Sequence, residues 1–139
     1  MTIGELAKRA DLAPSAIRYY EKAGLLKAPA RASGRRVYSP DVLHQLVLIR
    51  FTQEVGFTLR ETRLLLHGFP EKTPASARWK KMARTKIGEL ELSLLKIRAM
   101  KQMLESFLSC RCSKLDQCAQ GIAKLPKDWL ALRARSCGC

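Results

Sequence analysis

The feature that most constrains this chain is a proline-free stretch from about Ser76 to Ser109. Within it Ile87, Leu90, Leu94, Ile97, Lys101, Leu104 and Leu108 recur at alternating steps of three and four. That spacing is the seam of a coiled coil, with Lys101 as its one polar interruption. A helix of about 34 residues would extend ~50 Å. The residues before it are too few to cover such a rod, and the tail after it is too short and too polar to fold back along it. The seam asks for a second copy, so a homodimer is expected.

Ahead of the rod the chain punctuates itself into short helices. Thr2, with Glu5 three residues on, forms a capping box, and Ile3, Leu6 and Ala7 give the first helix its buried stripe. Asp11-Leu12-Ala13 is a turn, and Pro14 suits the first position of a second helix ending at Gly24. Gly34-Arg35-Arg36-Val37-Tyr38 reads as a turn entering a short wing strand. Ser39-Pro40-Asp41 opens and caps a third helix, which Val42, Leu43, Leu46, Val47, Ile49 and Phe51 make largely buried and Gly56 ends. Thr58 to Glu61 is a second capping box, starting a helix that stops at Gly68. In the tail the sequence predicts one weak helix, around Asp128 to Arg135.

Two short helices joined by a tight turn can seat one of them in the major groove of DNA. Arg18 offers a charge for phosphate or a fork for guanine, and Tyr19 and Tyr20 offer hydroxyls on stiff side chains. The formal net charge of +14 favours a polyanionic partner. It divides as +5 over residues 1–70 and +9 over the rest, so it is not confined to the head. No run of ~18 apolar residues spans a membrane, and the first residues lack the basic leader and apolar core of a signal peptide. A cytoplasmic address without membrane association is expected. All five cysteines lie in the last thirty residues, which in a reducing compartment speaks for metal or redox chemistry rather than a disulfide framework.

Thr2-Ile3-Gly4-Glu5-Leu6-Ala7, the run Ile17 to Leu26, Arg36-Val37-Tyr38 and Gly56-Phe57-Thr58-Leu59 resemble the winged-helix head of MerR-type transcription regulators, as does the long helix that follows. The resemblance covers residues 1 to about 118. It implies a mainly α protein with a winged helix-turn-helix head over 1–70, a dimerisation helix over 71–109, and a cysteine-rich effector loop and tail over 110–139. It also implies a homodimer, paired antiparallel, whose heads straddle double-stranded promoter DNA and act on RNA polymerase by bending and untwisting the site. Ser15, Arg18, Tyr20, Arg35, Arg36 and Tyr38 match family positions that touch DNA. Tyr19 is divided between DNA contact and packing in the head.

Cys110, Cys112 and Cys118 follow the end of the predicted helix, and thiolates in such a loop can converge on one soft ion. Two subtypes of the family compete. The Cys-x-Cys-x5-Cys spacing resembles the loop of SoxR, which holds a 2Fe–2S cluster, but Phe107 stands where the first of its four cysteines would be. Metal sensors for divalent ions usually add a cysteine near the start of the dimer helix, where this chain has Thr73, Ala75 and Ser76. Copper and gold sensors lack that cysteine too, yet space their loop pair by seven residues, which neither Cys110–Cys118 nor Cys112–Cys118 reproduces. The expectation is a soft ion, Cu(I)-like or Hg(II)-like, on Cys112 and Cys118 with Cys110 as third or alternate ligand. Cys137 and Cys139 are further candidates. His44 and His67 read as surface or core residues.

No Gly-rich phosphate loop, Ser/His/Asp set or paired acids support an enzyme. A DNA-compacting protein would account for the charge but leave the cysteines and the seam without a role.

Overall fold

The structure is a computed structural model that describes residues 1–129. It is mainly helical: α1 (Ile3–Ala10), α2 (Pro14–Lys22), β1 (Ala30–Ala32), β2 (Arg35–Val37), α3 (Asp41–Glu54), α4 (Leu59–His67), α5 (Ala75–Phe107) and α6 (Leu115–Ala123). The chain forms two units, Met1–Lys86 and Ile87–Cys139, whose boundary falls inside α5.

In the first unit α1 packs against α2 and α3, and α3 against α4. Their shared core is Leu6, Ala7, Ile17, Leu25, Leu26, Tyr38, Leu46 and Ile49. Both capping boxes form. The Thr2 and Thr58 hydroxyls accept the amides of Glu5 and Glu61, whose carboxylates accept the threonine amides in return. Between α1 and α2, Asp11 takes a left-handed conformation (φ 54°) and its amide closes the first helix. Pro14 opens α2, and Gly24, at φ 75°, turns the chain out of it.

The wing is an antiparallel hairpin in which Ala32 faces Arg35 across a two-residue turn. Ser33 and Gly34 both have positive φ, 51° and 74°, the pattern of a type I′ turn whose twist matches the strands it joins.

α3 differs from expectation in two ways. No side chain caps it; Pro40 occupies the cap position, and the Ser39 and Pro40 carbonyls accept the amides of Val42 and Leu43. Nor is it largely buried. Leu46 and Ile49 are in the core, whereas Val47 and Phe51 are 58 % and 49 % exposed. At 100° per residue these two fall outside the arc that Val42, Leu43, Leu46 and Ile49 turn to the core. Between α3 and α4 the fully buried Thr52 and Thr62 hydroxyls meet at 2.8 Å.

The first turns of α5 are fastened to this unit by polar and aromatic contacts. Arg78 donates to the carbonyls of Leu65, Leu66, Pro70, Glu71 and Thr73, taking up groups that the end of α4 leaves open. Trp79 meets Phe51 and Phe57 edge-on at 6.1 and 6.3 Å. Lys86 places its ammonium 2.9 Å from Glu61 and over the Phe57 ring. Burial pushes the Glu61 carboxyl up, but the Thr58 amide and the Lys86 ammonium outweigh it and leave the carboxyl below its ordinary range.

In the second unit the seam is bare: Ile87, Leu90, Leu94, Ile97, Leu104 and Leu108 are 48 % to 87 % exposed. What α5 buries there is Ala99 and Met103, which lie on nearly the opposite side of the helix. Within the cysteine-rich loop and tail the structure adds a helix that was not expected, α6, whose Leu115, Ala119 and Ile122 carry a helical period that the cysteines overshadow. The weak helix expected around Asp128 to Arg135 lies almost entirely outside the described residues.

Candidate functional site

Two surfaces of the described chain concentrate chemistry. On α2, Ser15, Arg18, Tyr19 and Lys22 are all exposed. They share an arc of about 100°, opposite the fully buried Ile17. Tyr19, 55 % exposed, is therefore not a core residue. Tyr20 turns inward onto the core and its hydroxyl accepts from Gln53 Nε2 at 3.5 Å.

The wing stands beside this face. Thr2 and Ile3 at the start of α1, Arg18 of α2, and Arg31, Gly34, Arg35 and Arg36 of the hairpin line an open notch of about 450 Å³. Four guanidinium groups around one opening, with the positive end of a helix dipole among them, make a seat for anionic oxygen. Arg36 also reaches Glu21 at 4.0 Å.

Tyr38 lies differently from the other candidate residues. It is 3 % exposed, and its hydroxyl donates to Glu21 Oε1 at 2.5 Å. The Tyr38 amide donates to the Met1 carbonyl, and the Met1 amino group donates to the Tyr38 carbonyl. The residue thus ties the wing to α2 and to the chain start. Burial, then the Glu21 carboxylate, push the phenol up to about 12. Lys22 and Arg31 escaped the sequence reading. Lys22 follows Arg18 by four residues in a helix, so periodicity was the available signal; Arg31 becomes visible once the hairpin register sets it opposite Arg36.

The second surface is the loop from α5 to α6. The Cys110 amide donates to the Phe107 carbonyl, closing the last turn of α5, and Cys118 sits on α6. Their sulfurs are 3.9 Å apart. With Cys112 they form a half-buried trio whose sulfur atoms all lie within 4.8 Å of one another. This is the one cluster of metal-ligating side chains among the described residues. The Cys112 sulfur is engaged in a disulfide bond, and the trio can act as three thiolates only once that bond is reduced. Neither histidine joins the cluster: His44 is exposed on α3, and a ring nitrogen of His67 meets the Leu25 carbonyl at 3.0 Å. Cys137 and Cys139 lie outside the described residues. No helix among the described residues is long and apolar enough to cross a membrane.

Comparison with known proteins agrees with this architecture. Residues 1–68 match the model of the MerR HTH family regulatory proteins, and residues 43–107 that of MerR, DNA binding. The chain is 36 % identical to the HTH-type transcriptional regulator CueR of Salmonella typhi, over 79 % of this chain and 81 % of that one. It is 30 % identical to the HTH-type transcriptional activator SoxR homolog of Chromobacterium violaceum, over 85 % of this chain and 80 % of the relative. Among solved structures it resembles the transcription regulator PbrR691 from Ralstonia metallidurans CH34, determined in complex with lead(II). That likeness has a TM-score of 0.70 at 30 % identity and covers 85 % of this chain and 94 % of the other. The protein is a member of the MerR family of helix-turn-helix transcription regulators.

Proposed function

We propose that this regulator is a cytoplasmic homodimer that senses a soft metal ion on Cys110, Cys112 and Cys118 and converts its binding into distortion of promoter DNA. The observation that carries the reading is the convergence of three sulfurs immediately beyond a helix whose apolar seam is exposed. In the chain alone, Ile97, Met100, Lys101, Leu104, Glu105 and Leu108 line a shallow trough of about 400 Å³. Its apolar side chains at coiled-coil spacing suit the knobs of a second copy. Dimerisation along α5 would give two heads and so a two-fold related pair of DNA contacts.

Each head would present Ser15, Arg18, Tyr19 and Lys22 to the groove and set a phosphate in the notch framed by Arg31, Arg35 and Arg36. Tyr20 and Tyr38 serve this surface from behind, by seating α2 on the core and the wing on α2. Underwinding and bending the site costs on the order of 1–6 kcal/mol, which phosphate contacts must offset. Realignment of the promoter acts on RNA polymerase, and the protein itself catalyses nothing. A thiolate-bound ion would supply a rigid link between the end of α5 and α6, and that link sets the separation of the two α2 helices.

A 2Fe–2S cluster is the second reading, favoured by the likeness to a SoxR homolog. Such clusters take four thiolates, and the described residues bring together three. The metal reading is preferred on the sulfur trio and on the likeness to PbrR691, determined in complex with lead(II).

The test is Cys112→Ser in promoter-dependent transcription with the purified polymerase. DNA affinity should be retained while metal-dependent activation is lost. Activation at the level of the unaltered chain would remove Cys112 from the mechanism.

A further inference from the structure

One flank of the α5 seam carries a row of charges that the apolar seam does not account for. Ile87, Leu94, Lys101 and Leu108 take the first core position of the heptad, and Leu90, Ile97 and Leu104 the second. The residue after each second core position lies on one edge of the seam. Along α5 that edge presents Arg84, Glu91, Arg98 and Glu105, all exposed. Their signs alternate. The opposite edge presents Lys86, Ser93, Met100 and Phe107, and the one charge there is already 2.9 Å from Glu61.

Orientation decides how these edges meet. Parallel helices set one edge against the other, whereas antiparallel helices set like edges together. Parallel pairing would face Arg98 with Ser93 and Glu105 with Met100, leaving the row without opposite charges. Antiparallel pairing runs the row against itself, and the register then fixes the sign of each contact. With Leu94 of one copy across from Ile97 of the other, Ile87 meets Leu104 and Leu90 meets Lys101. In that register Glu91 faces Arg98 and Arg84 faces Glu105, each twice by the two-fold axis. A slip of one heptad either way sets Glu91 against Glu91 or Arg98 against Arg98, and like charges repel. Leu90 of the second copy fills the trough lined by Ile97, Met100, Lys101 and Leu104. The Lys101 ammonium lies 3.5 Å from Glu105, at the charged edge.

Building on the homodimer proposed above, we infer that Arg84, Glu91, Arg98 and Glu105 lock two copies antiparallel in this single register. The same row selects the partner, because a foreign helix whose edge charges run in another order meets repulsion.

The experiment uses the full-length reduced protein and reads self-association by sedimentation over a range of chain concentrations at low salt. Glu91→Arg sets arginine against Arg98, and Arg98→Glu sets glutamate against Glu91. Each should weaken self-association by about tenfold or more, since two attractive contacts become two repulsive ones. The double variant restores opposite charges and should return to within about threefold of the parent. Helix content by circular dichroism should match the parent in all three. A photo-cross-linking side chain in place of Ser93 should capture the second copy around Met100. Single variants that associate as the parent does, a double variant no tighter than the singles, or cross-links centred on Ser93 or Phe107 would overturn the register while the dimer stands. A parent chain that stays monomeric throughout would remove the homodimer itself, and the inference with it.

Discussion

Replacing Tyr38 by phenylalanine removes one hydroxyl and nothing else from the junction of wing and α2. That hydroxyl donates to Glu21, a carboxylate whose side chain is 11 % exposed and whose other oxygen faces Arg36 at 4.0 Å. A hydrogen bond to a charged group contributes about 1.5–3 kcal/mol. Arg36 remains to compensate Glu21 in part, so a loss of about 2 kcal/mol at pH 7 is expected. The pH dependence is a second, independent signature. The folded phenol is raised from 10.0 to about 12, so its contribution is fully present below pH 10 and is lost as pH climbs through 12. Two units correspond to about 2.7 kcal/mol, and the Tyr38→Phe protein has no such dependence. Urea denaturation of both proteins at one chain concentration, at pH 7 and between about pH 9 and 11.5, reads the difference directly. The gap should narrow steadily as pH rises above 10. A gap below about 0.5 kcal/mol at pH 7, or one that does not change with pH, would refute the brace. DNA binding by Tyr38→Phe should weaken without a change in salt slope, because the group lost is neutral.

The remaining predictions concern the two functional surfaces. Arg18→Ala should weaken promoter binding and lower the salt slope by about one, as expected for a single lost phosphate contact; unchanged slope and affinity would mean that α2 is not docked as proposed. Oxidised protein, with Cys112 in a disulfide, should take up Cd(II) far more weakly than fully reduced protein in an equilibrium titration, because a disulfide sulfur offers no thiolate. Equal uptake would exclude Cys112 as a ligand.

The head was legible because its signals are local. A capping threonine with its acid three residues on, a proline at a first turn and a glycine at a helix end each fix a boundary without reference to the rest of the chain, as at Thr2, Thr58 and Pro14. The exposed faces of α3 were not legible, since apolar content says how much a helix can bury and not which side finds a neighbour; Val47 and Phe51 show the difference. Tyr38 illustrates the same limit at the site. Its place in a motif marks the residue, but only tertiary structure shows its hydroxyl turned to Glu21. Arg31 needed the hairpin register, which a two-residue Ser-Gly turn sets. The cysteine trio was visible as a cluster in sequence, while the separation of Cys110 and Cys118 depends on where α6 begins. The sequence reading did not include that helix.

The central claim, that an ion on the loop sulfurs changes the shape of the bound DNA, is tested by topology. Closed circular DNA carrying the footprinted promoter is relaxed with topoisomerase in the presence of the reduced protein, with and without Cd(II). The metal should lower the linking number while promoter occupancy stays the same. Occupied sulfurs and an occupied promoter with no change in linking number would contradict the claim.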